Sequence, residues 1–193
     1  ACNAAISACD KGRQWERACE LLEELDRRGL QPTVVTCGAA ISACRISRRW
    51  EQALGLLWDM EPERGLSPNL VTCNAASSVC EVGMQWQLAL RLLQEAGLHG
   101  LRLDVITYSI AISACEKGLR WEWALRILWE MGQHTIAPNL VAYSAAISAC
   151  EKEQQWEKAL SILCEMLRLS IRPDVVVYGA AISACGSDGA RWA

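Results

Sequence analysis

Cysteine recurs along this chain at an almost constant interval of 35 residues. The recurring positions are Cys9, Cys44, Cys80, Cys115, Cys150 and Cys185. Tryptophan keeps the same interval at Trp15, Trp50, Trp86, Trp121 and Trp156. Self-similarity at a fixed period of about 20 to 50 residues indicates an array of equal structural units, in which each unit packs on its neighbours.

Proline marks the junctions between the units. The junction prolines are Pro32, Pro68, Pro138 and Pro173, with Leu103 at the remaining place. These positions predict a single array of six repeats, 1–33 (truncated), 34–69, 70–104, 105–139, 140–174 and 175–193 (truncated). The second repeat has one extra residue between Met60 and Gly65, which a longer turn is expected to absorb. Because the sequence begins and ends inside a repeat, we expect a segment of a longer array whose terminal repeats open first.

Each repeat carries the pattern of two amphipathic helices. In VITYSIAISACEKG, residues 105–118, Tyr108, Ala111, Ile112 and Cys115 follow the i, i+3, i+4, i+7 spacing of one helix face. The stretch RWEWALRILWEMG, residues 120–132, repeats this spacing from Trp121 onwards. Neither helix can bury its apolar stripe alone, so the hairpins must stack. The pattern predicts an all-α fold, an α-solenoid in which stacked helix-turn-helix repeats form a right-handed superhelix.

The spacing of the cysteines argues against a metal or disulfide scaffold. The chain has 11 cysteines, but no two are separated by two residues, as the ligand pairs of structural zinc sites are. Equivalent residues of stacked helices would lie about 8 to 10 Å apart, which exceeds the roughly 4.4 to 6.8 Å between the Cα atoms of a disulfide. We therefore interpret the recurring cysteines and tryptophans as core residues, and we expect no metal or cofactor.

Composition and motifs exclude several other classes of protein. The formal net charge is −3 and 52% of the residues are apolar, which is typical of a folded domain. No apolar run approaches the roughly 20 residues of a membrane span. A Gly-rich phosphate loop and a nucleophile elbow are both missing, so we expect no enzymatic activity. His99 and His134 end two second helices, where a histidine interacts favourably with the helix dipole and is too far from its counterpart to share a metal ion.

The repeat resembles that of the pentatricopeptide repeat family, in particular its P-type members with 35 residues per repeat. The stretches that carry the resemblance are 105–118, 141–152 (VAYSAAISACEK), 157–166 (EKALSILCEM), and the junctions 137–140 (APNL) and 172–175 (RPDV). The tetratricopeptide repeat is less similar, because its Trp-Leu-Gly-Tyr signature is absent and its 34-residue period would drift along the array.

The resemblance implies binding of single-stranded RNA, one base per repeat, read by two side chains. The implied base-reading pairs are Asn3 with Thr33, Gly38 with Asn69, Asn74 with Asp104, Ser109 with Asn139, and Ser144 with Asp174. By the family's preferences these pairs select the core 5′-pyrimidine-purine-U-A-G-3′. The alternative for the second member of each pair is an ordinary helix N-cap, for which Asn, Asp and Thr are preferred.

Two further sets of residues are implied by the resemblance. The aliphatic residues that pack against base faces would be Val35, Val71, Ile106, Val141 and Val176; the alternative is a role in the core of the first helical turn. The lysines that reach the phosphates would be Lys11, Lys117 and Lys152. Ile46 and Val82 depart from the lysine in the middle repeats, so we expect weak electrostatic affinity.

The function implied is that of a monomeric, sequence-selective RNA adaptor in a chloroplast or mitochondrion, serving RNA processing, editing, stability or translation. The alternative is a protein–protein interaction scaffold of the tetratricopeptide type. Polar side chains at the reading positions favour RNA. The acidic net charge and the two missing lysines favour a protein partner.

Overall fold

The computed structural model describes Ala5, Ile6, Ala8, Cys9, Gly12 and residues 14–186. Asn3 and Lys11, two of the implied RNA contacts, lie outside the described residues. The chain divides into two compact units, Ala1–Leu103 and Asp104–Ala193. Within the part that is described, the secondary structure is helical and contains no strand, which confirms the all-α prediction.

The first unit contains five helices after the helical residues Ala5, Ile6, Ala8 and Cys9. They are α1 (Trp15–Arg27), α2 (Val34–Ala43), α3 (Trp50–Trp58), α4 (Leu70–Val82) and α5 (Trp86–Leu98). The first helix of one repeat, α2, packs on that of the next, α4. The second helix α3 packs on both of them. This unit is therefore a stack of helical hairpins.

The second unit repeats this arrangement. Its helices are α6 (Val105–Lys117), α7 (Trp121–Gln133), α8 (Leu140–Lys152), α9 (Trp156–Arg168) and α10 (Val175–Gly186). The first helices α6, α8 and α10 pack in that order, and the second helices α7 and α9 each contact the first helices on either side of them in the chain.

The turn after each second helix needs a residue with a left-handed backbone. Gly29, Gly65 and Gly100 supply it in the first three repeats, with φ angles of 68°, 63° and 72°. Thr135 and Ser170 hold the same conformation in the next two, with φ of 57° and 59°. In the second repeat α3 ends at Trp58 and a turn continues to Arg64, so the longer turn absorbs the extra residue, as predicted.

The recurring cysteines form the centre of the packing between first helices. Cys44, Cys80, Cys115 and Cys150 are completely buried, which confirms their interpretation as core residues; Cys9 and Cys185 are half-buried. Burial raises the pKa of Cys80 and Cys115 to about 12 and that of Cys150 to about 11. These thiols stay protonated and behave as small apolar groups.

The recurring tryptophans are half-buried, so the expectation that they lie in the core is met only in part. Each begins a second helix, and Trp15 and Trp50 face the next repeat. A Cβ added to Gly83 would lie 2.9 Å from Cδ1 of Trp50, and the Arg49 guanidinium lies 5.0 Å from the ring centroid of Trp15. The Trp15 and Trp50 rings therefore lie between successive repeats, while Tyr, Met, Ile and Leu side chains fill the deep core.

Candidate nucleic-acid interface

The last residue of each repeat caps the first helix of the next. The capping residues are Thr33, Asn69, Asp104, Asn139 and Asp174. The side-chain oxygen accepts a hydrogen bond from the backbone N–H three residues later, over 2.9 to 3.3 Å. The capping alternative raised by the sequence is therefore confirmed, and base reading by these residues stays a prediction.

Capping fixes which atom of these side chains is left for another partner. In Asn139 the amide oxygen Oδ1 accepts from the Ala142 N–H at 2.9 Å, which leaves the Nδ2 amino group. In Asp174 the oxygen Oδ1 accepts from the Val177 N–H at 2.9 Å, which leaves the second carboxylate oxygen. Both residues are exposed. An asparagine in this position therefore presents a hydrogen-bond donor, and an aspartate presents an acceptor.

The first members of the implied pairs lie at matching places in the first helices. Ser109 Oγ donates to the Val105 carbonyl at 2.7 Å and lies 3.4 Å from Oδ1 of Asn139. The structure thus brings this implied pair into contact. In the next pair Ser144 is half-buried and Asp174 is exposed.

The other two described pairs are Gly38 with Asn69 and Asn74 with Asp104. Gly38 is buried, and a Cβ added to it would lie 3.4 Å from Cγ2 of Thr72, the residue that Asn69 caps. Asn74 is half-buried, with its Oδ1 atom buried and without a hydrogen bond. Its implied partner Asp104 belongs to the second unit.

The five implied base-packing residues are all exposed. Val35, Val71, Ile106, Val141 and Val176 have exposed fractions between 56% and 71%. The alternative of a core position in the first turn is therefore wrong for them. All but Val176 stand three residues before the first member of a reading pair, and residues at i and i+3 are neighbours on a helix surface. Every complete repeat in the described chain thus presents a capping polar residue and an exposed aliphatic residue at the start of its first helix.

The positive charge along the implied phosphate path is small. Lys152 is exposed but its Nζ lies 3.0 Å from Oε1 of Glu116, and Lys117 is half-buried. In the second repeat, where Ile46 replaces the lysine, Arg45 and Arg48 are exposed at the end of α2. Counting lysines at one position missed these arginines; the basic stretch CRISRRW was the signal that could have found them.

Metal ligands and membrane-spanning helices are two further features that the sequence argues against. Among the described residues, no three His, Cys, Asp or Glu side chains are grouped as metal ligands. His99 and His134 follow the last residues of α5 and α7, at helix ends as expected. None of the helices in the described ranges combines the length and the apolar content needed to cross a bilayer.

Three family profiles match the sequence. The one described as a pentatricopeptide repeat domain matches residues 20–81 and 91–153, well over half of the chain. The one described as a PPR repeat family matches residues 138–187, and the one described as a PPR repeat matches residues 1–30. No curated protein matches the chain significantly.

Solved structures share the fold. The pentatricopeptide repeat protein PPR10 from maize is 26% identical over 97% of this chain, with a TM-score of 0.75. The same protein in complex with an 18-nt psaJ RNA element is matched at 20% identity and a TM-score of 0.81. This chain spans 27% of the length of PPR10 in both structures.

A second protein extends the likeness. The PPR domain of Arabidopsis thaliana protein-only RNase P 1, in complex with tRNA, is 13% identical with a TM-score of 0.78, over 94% of this chain and 95% of that domain. These structural likenesses confirm the α-solenoid prediction. Together with the matching profiles, they show that the chain belongs to the pentatricopeptide repeat family.

Proposed function

We propose that this chain binds single-stranded RNA through the start of its first helices, with one base per repeat. One observation carries the proposal: at the start of α4, α6, α8 and α10 an exposed aliphatic side chain stands beside an asparagine or aspartate cap that keeps one hydrogen-bonding atom for another partner. An aliphatic side chain packs against the flat face of any base, while the polar atom meets its edge. Repeats with this arrangement can read one base each.

The capping geometry gives the second residue of each pair a direct chemical preference. Asn69 and Asn139 present an N–H donor, which suits the ring nitrogen acceptors of adenine and cytosine. Asp104 and Asp174 present an oxygen acceptor, which suits the ring N–H groups of uracil and guanine. The first residue then separates purine from pyrimidine. This is consistent with U for Asn74 with Asp104, A for Ser109 with Asn139, and G for Ser144 with Asp174.

The first two bases of the proposed site are less well defined. Gly38 provides no side chain beside Asn69, so this repeat should accept a purine with little discrimination. Asn3 with Thr33 implies a pyrimidine. The proposed core remains 5′-pyrimidine-purine-U-A-G-3′. Five bases recognised with about 1 to 3 kcal/mol each would give modest affinity after the cost of ordering the RNA.

The remaining features of the proposal follow from the family. The RNA-bound state of PPR10 and the tRNA-bound state of protein-only RNase P 1 support RNA as the partner class. We infer a monomeric adaptor without catalytic activity of its own, acting in a chloroplast or mitochondrion on RNA processing, editing, stability or translation.

Exchanging the acceptor of Asp174 for a donor tests the proposal. Asp174→Asn keeps the cap on α10, because asparagine and aspartate cap equally well. Fluorescence anisotropy with labelled RNAs containing CAUAG or CAUAA should show the wild type preferring G at the last base and the variant preferring A. We expect each preference to be about tenfold, or roughly 1.4 kcal/mol.

Glu157→Gln is the matched control. It removes the same charge at an exposed position of the second helix α9 and should leave the preference for G unchanged. If Asp174→Asn alters neither base preference, or if scrambled RNA binds as tightly as the core, Asp174 does not read a base. A protein–protein interaction scaffold would then be the better supported function. The ion pair of Lys152 with Glu116 also favours a scaffold, because it reduces the positive charge available to RNA phosphates.

A further inference from the structure

We propose that the first unit contains a binding pocket for a small phenol, at the place where the fourth and fifth repeats hold a tyrosine side chain of their own. The pocket lies between the second helices α3 and α5, with Cys73 of α4 in its wall. It does not depend on the proposed function.

The fourth and fifth repeats show what this place normally contains. Tyr108 and Tyr143 are 1% and 0% exposed. The hydroxyl of Tyr143 donates to Oε1 of Glu165 at 3.3 Å. The ring centroid of Tyr108 lies 6.4 Å from that of His134. The end of the second helix thus supplies an acceptor for the phenolic hydroxyl in the fifth repeat and an imidazole beside the ring in the fourth.

The third repeat keeps these surroundings but lacks the tyrosine. Cys73 stands at the matching position, and Glu95 and His99 match the glutamate and histidine that approach the tyrosines. A thiol fills far less space than a hydroxyphenyl group. The result is a pocket of about 380 Å³ that includes Cys73, Glu95 and His99 in its wall. Its apolar wall is formed by Leu57, Trp58, Pro62, Pro68, Leu92 and Leu101.

The second repeat also lacks the tyrosine but provides a different environment. Cys37 takes its place, and the guanidinium of Arg64, from the lengthened turn, lies close enough to Cys37 to oppose the rise in pKa that burial causes. The Arg64 side chain is 10% exposed and its Nη2 lies 3.0 Å from Oδ2 of Asp26. An ion pair therefore lies in this region of the second repeat, whereas the third repeat offers a largely apolar pocket at the matching place.

The chemistry of the pocket selects a neutral phenol. Glu95 uses Oε1 to accept from Nε of Arg91 at 2.7 Å, which leaves its second oxygen for the hydroxyl of the ligand. The ring would pack against Trp58 and Leu92. A volume of about 380 Å³ is within the range of small-molecule sites. Burial and the charge of Glu95 raise the pKa of Cys73, so its thiol stays protonated and the binding is non-covalent.

Titration of the protein with 4-methylphenol, the tyrosine side chain without its backbone, tests the proposal. We expect saturable changes in amide NMR shifts confined to residues 57–62, 73 and 92–101, with a dissociation constant of about 1 mM, a strength typical of so small a ligand. Toluene, which lacks the hydroxyl, should bind several-fold more weakly. N-acetyltyrosine amide separates the two sources of a phenol: equal binding assigns the pocket to tyrosine side chains of a partner, and weaker binding assigns it to free phenols.

Two variants control the experiment. Cys73→Tyr should fill the pocket, raise the melting temperature and weaken binding of 4-methylphenol by at least about tenfold. Should this variant not fold, Glu95→Ala keeps the pocket and should abolish the preference for 4-methylphenol over toluene. Glu95 is partly exposed, so we expect this second variant to fold. Shift changes spread over the whole chain, equal binding by folded Cys73→Tyr, or an unchanged preference in Glu95→Ala would overturn the proposal.

Discussion

Single residues at the junctions of this array serve a structural role and are proposed to serve a functional one. Asn139 accepts the hydrogen bond that starts α8 and contacts Ser109 of its own repeat. Sequence reasoning offered capping and base reading as alternatives, because both need the same residue types. The structure shows that one side chain has atoms for both. What the sequence could not show was which atom the cap uses, since this depends on the backbone geometry of the junction.

Cys19 is another residue with a property that the sequence did not indicate, a lowered thiol pKa. A hydrogen bond with the Cys44 thiol lowers the pKa of Cys19, against the opposing effects of partial burial and of Glu23. The thiolate is the reactive form, so a lower pKa gives a larger reactive fraction at a given pH. We expect iodoacetamide at about pH 8 to modify Cys19 well before Cys80, whose pKa burial raises to about 12. Peptide mapping by mass spectrometry measures both rates.

Cys44→Ala separates acidity from accessibility in this reaction. It removes the hydrogen bond and leaves Cys19 half-buried, so the pKa of Cys19 should rise and its modification below that pKa should slow. Equal rates in the wild type and the variant would mean that exposure alone sets the reactivity of Cys19.

At the scale of the helices, the period of the apolar residues predicted the hairpins, because burial of one stripe dictates where a helix forms. The recurring tryptophans were predicted to be core residues, yet they are half-buried at the first position of each second helix. Periodicity places a residue on a face of a helix but does not say how far the next repeat covers it. The pocket at Cys73 could not be predicted either, although the sequence shows cysteine at positions 37 and 73 where the later repeats have Tyr108 and Tyr143.

Helix ends provide a prediction at the same scale. Thr135 has a φ of 57° after α7, where the first three repeats use glycine. A left-handed backbone destabilises a residue with a side chain by roughly 1 to 2 kcal/mol. Glycine avoids this cost, but its greater conformational freedom in the unfolded chain offsets about 0.5 to 1 kcal/mol of the gain. We expect Thr135→Gly to raise the free energy of unfolding by up to about 1 kcal/mol in urea denaturation.

Gly132→Ala lies in the last turn of α7 and is a suitable comparison. No atom lies within 4 Å of a Cβ added there, so alanine should stabilise the helix by propensity alone, by about 1 kcal/mol. If Thr135→Gly destabilises the protein while Gly132→Ala stabilises it, the left-handed turn carries no strain.

At the scale of the whole molecule, the described helices of each unit contact their near neighbours along the chain. In the second unit α8 packs on α6, α7, α9 and α10, and these contacts are the same from one repeat to the next. Stability in such arrays is approximately a sum over repeats and their interfaces. The period in the sequence therefore sufficed to predict the architecture. It could not predict the stability of each repeat, which depends on how much of each helix its neighbours cover.

The helix α10 should consequently open before α8. Val175 and Ile182 of α10 are 87% and 70% exposed, and Tyr178 is 44% exposed where the matching Tyr143 of α8 is completely buried. Burial of one large apolar side chain contributes about 1.5 to 3 kcal/mol, so we expect amide hydrogens of α10 to exchange at least about tenfold faster than those of α8. Hydrogen exchange followed by mass spectrometry measures both helices in one sample. Equal protection of α8 and α10 would mean that the second unit opens as one cooperative body, and the additive account of its stability would then be wrong.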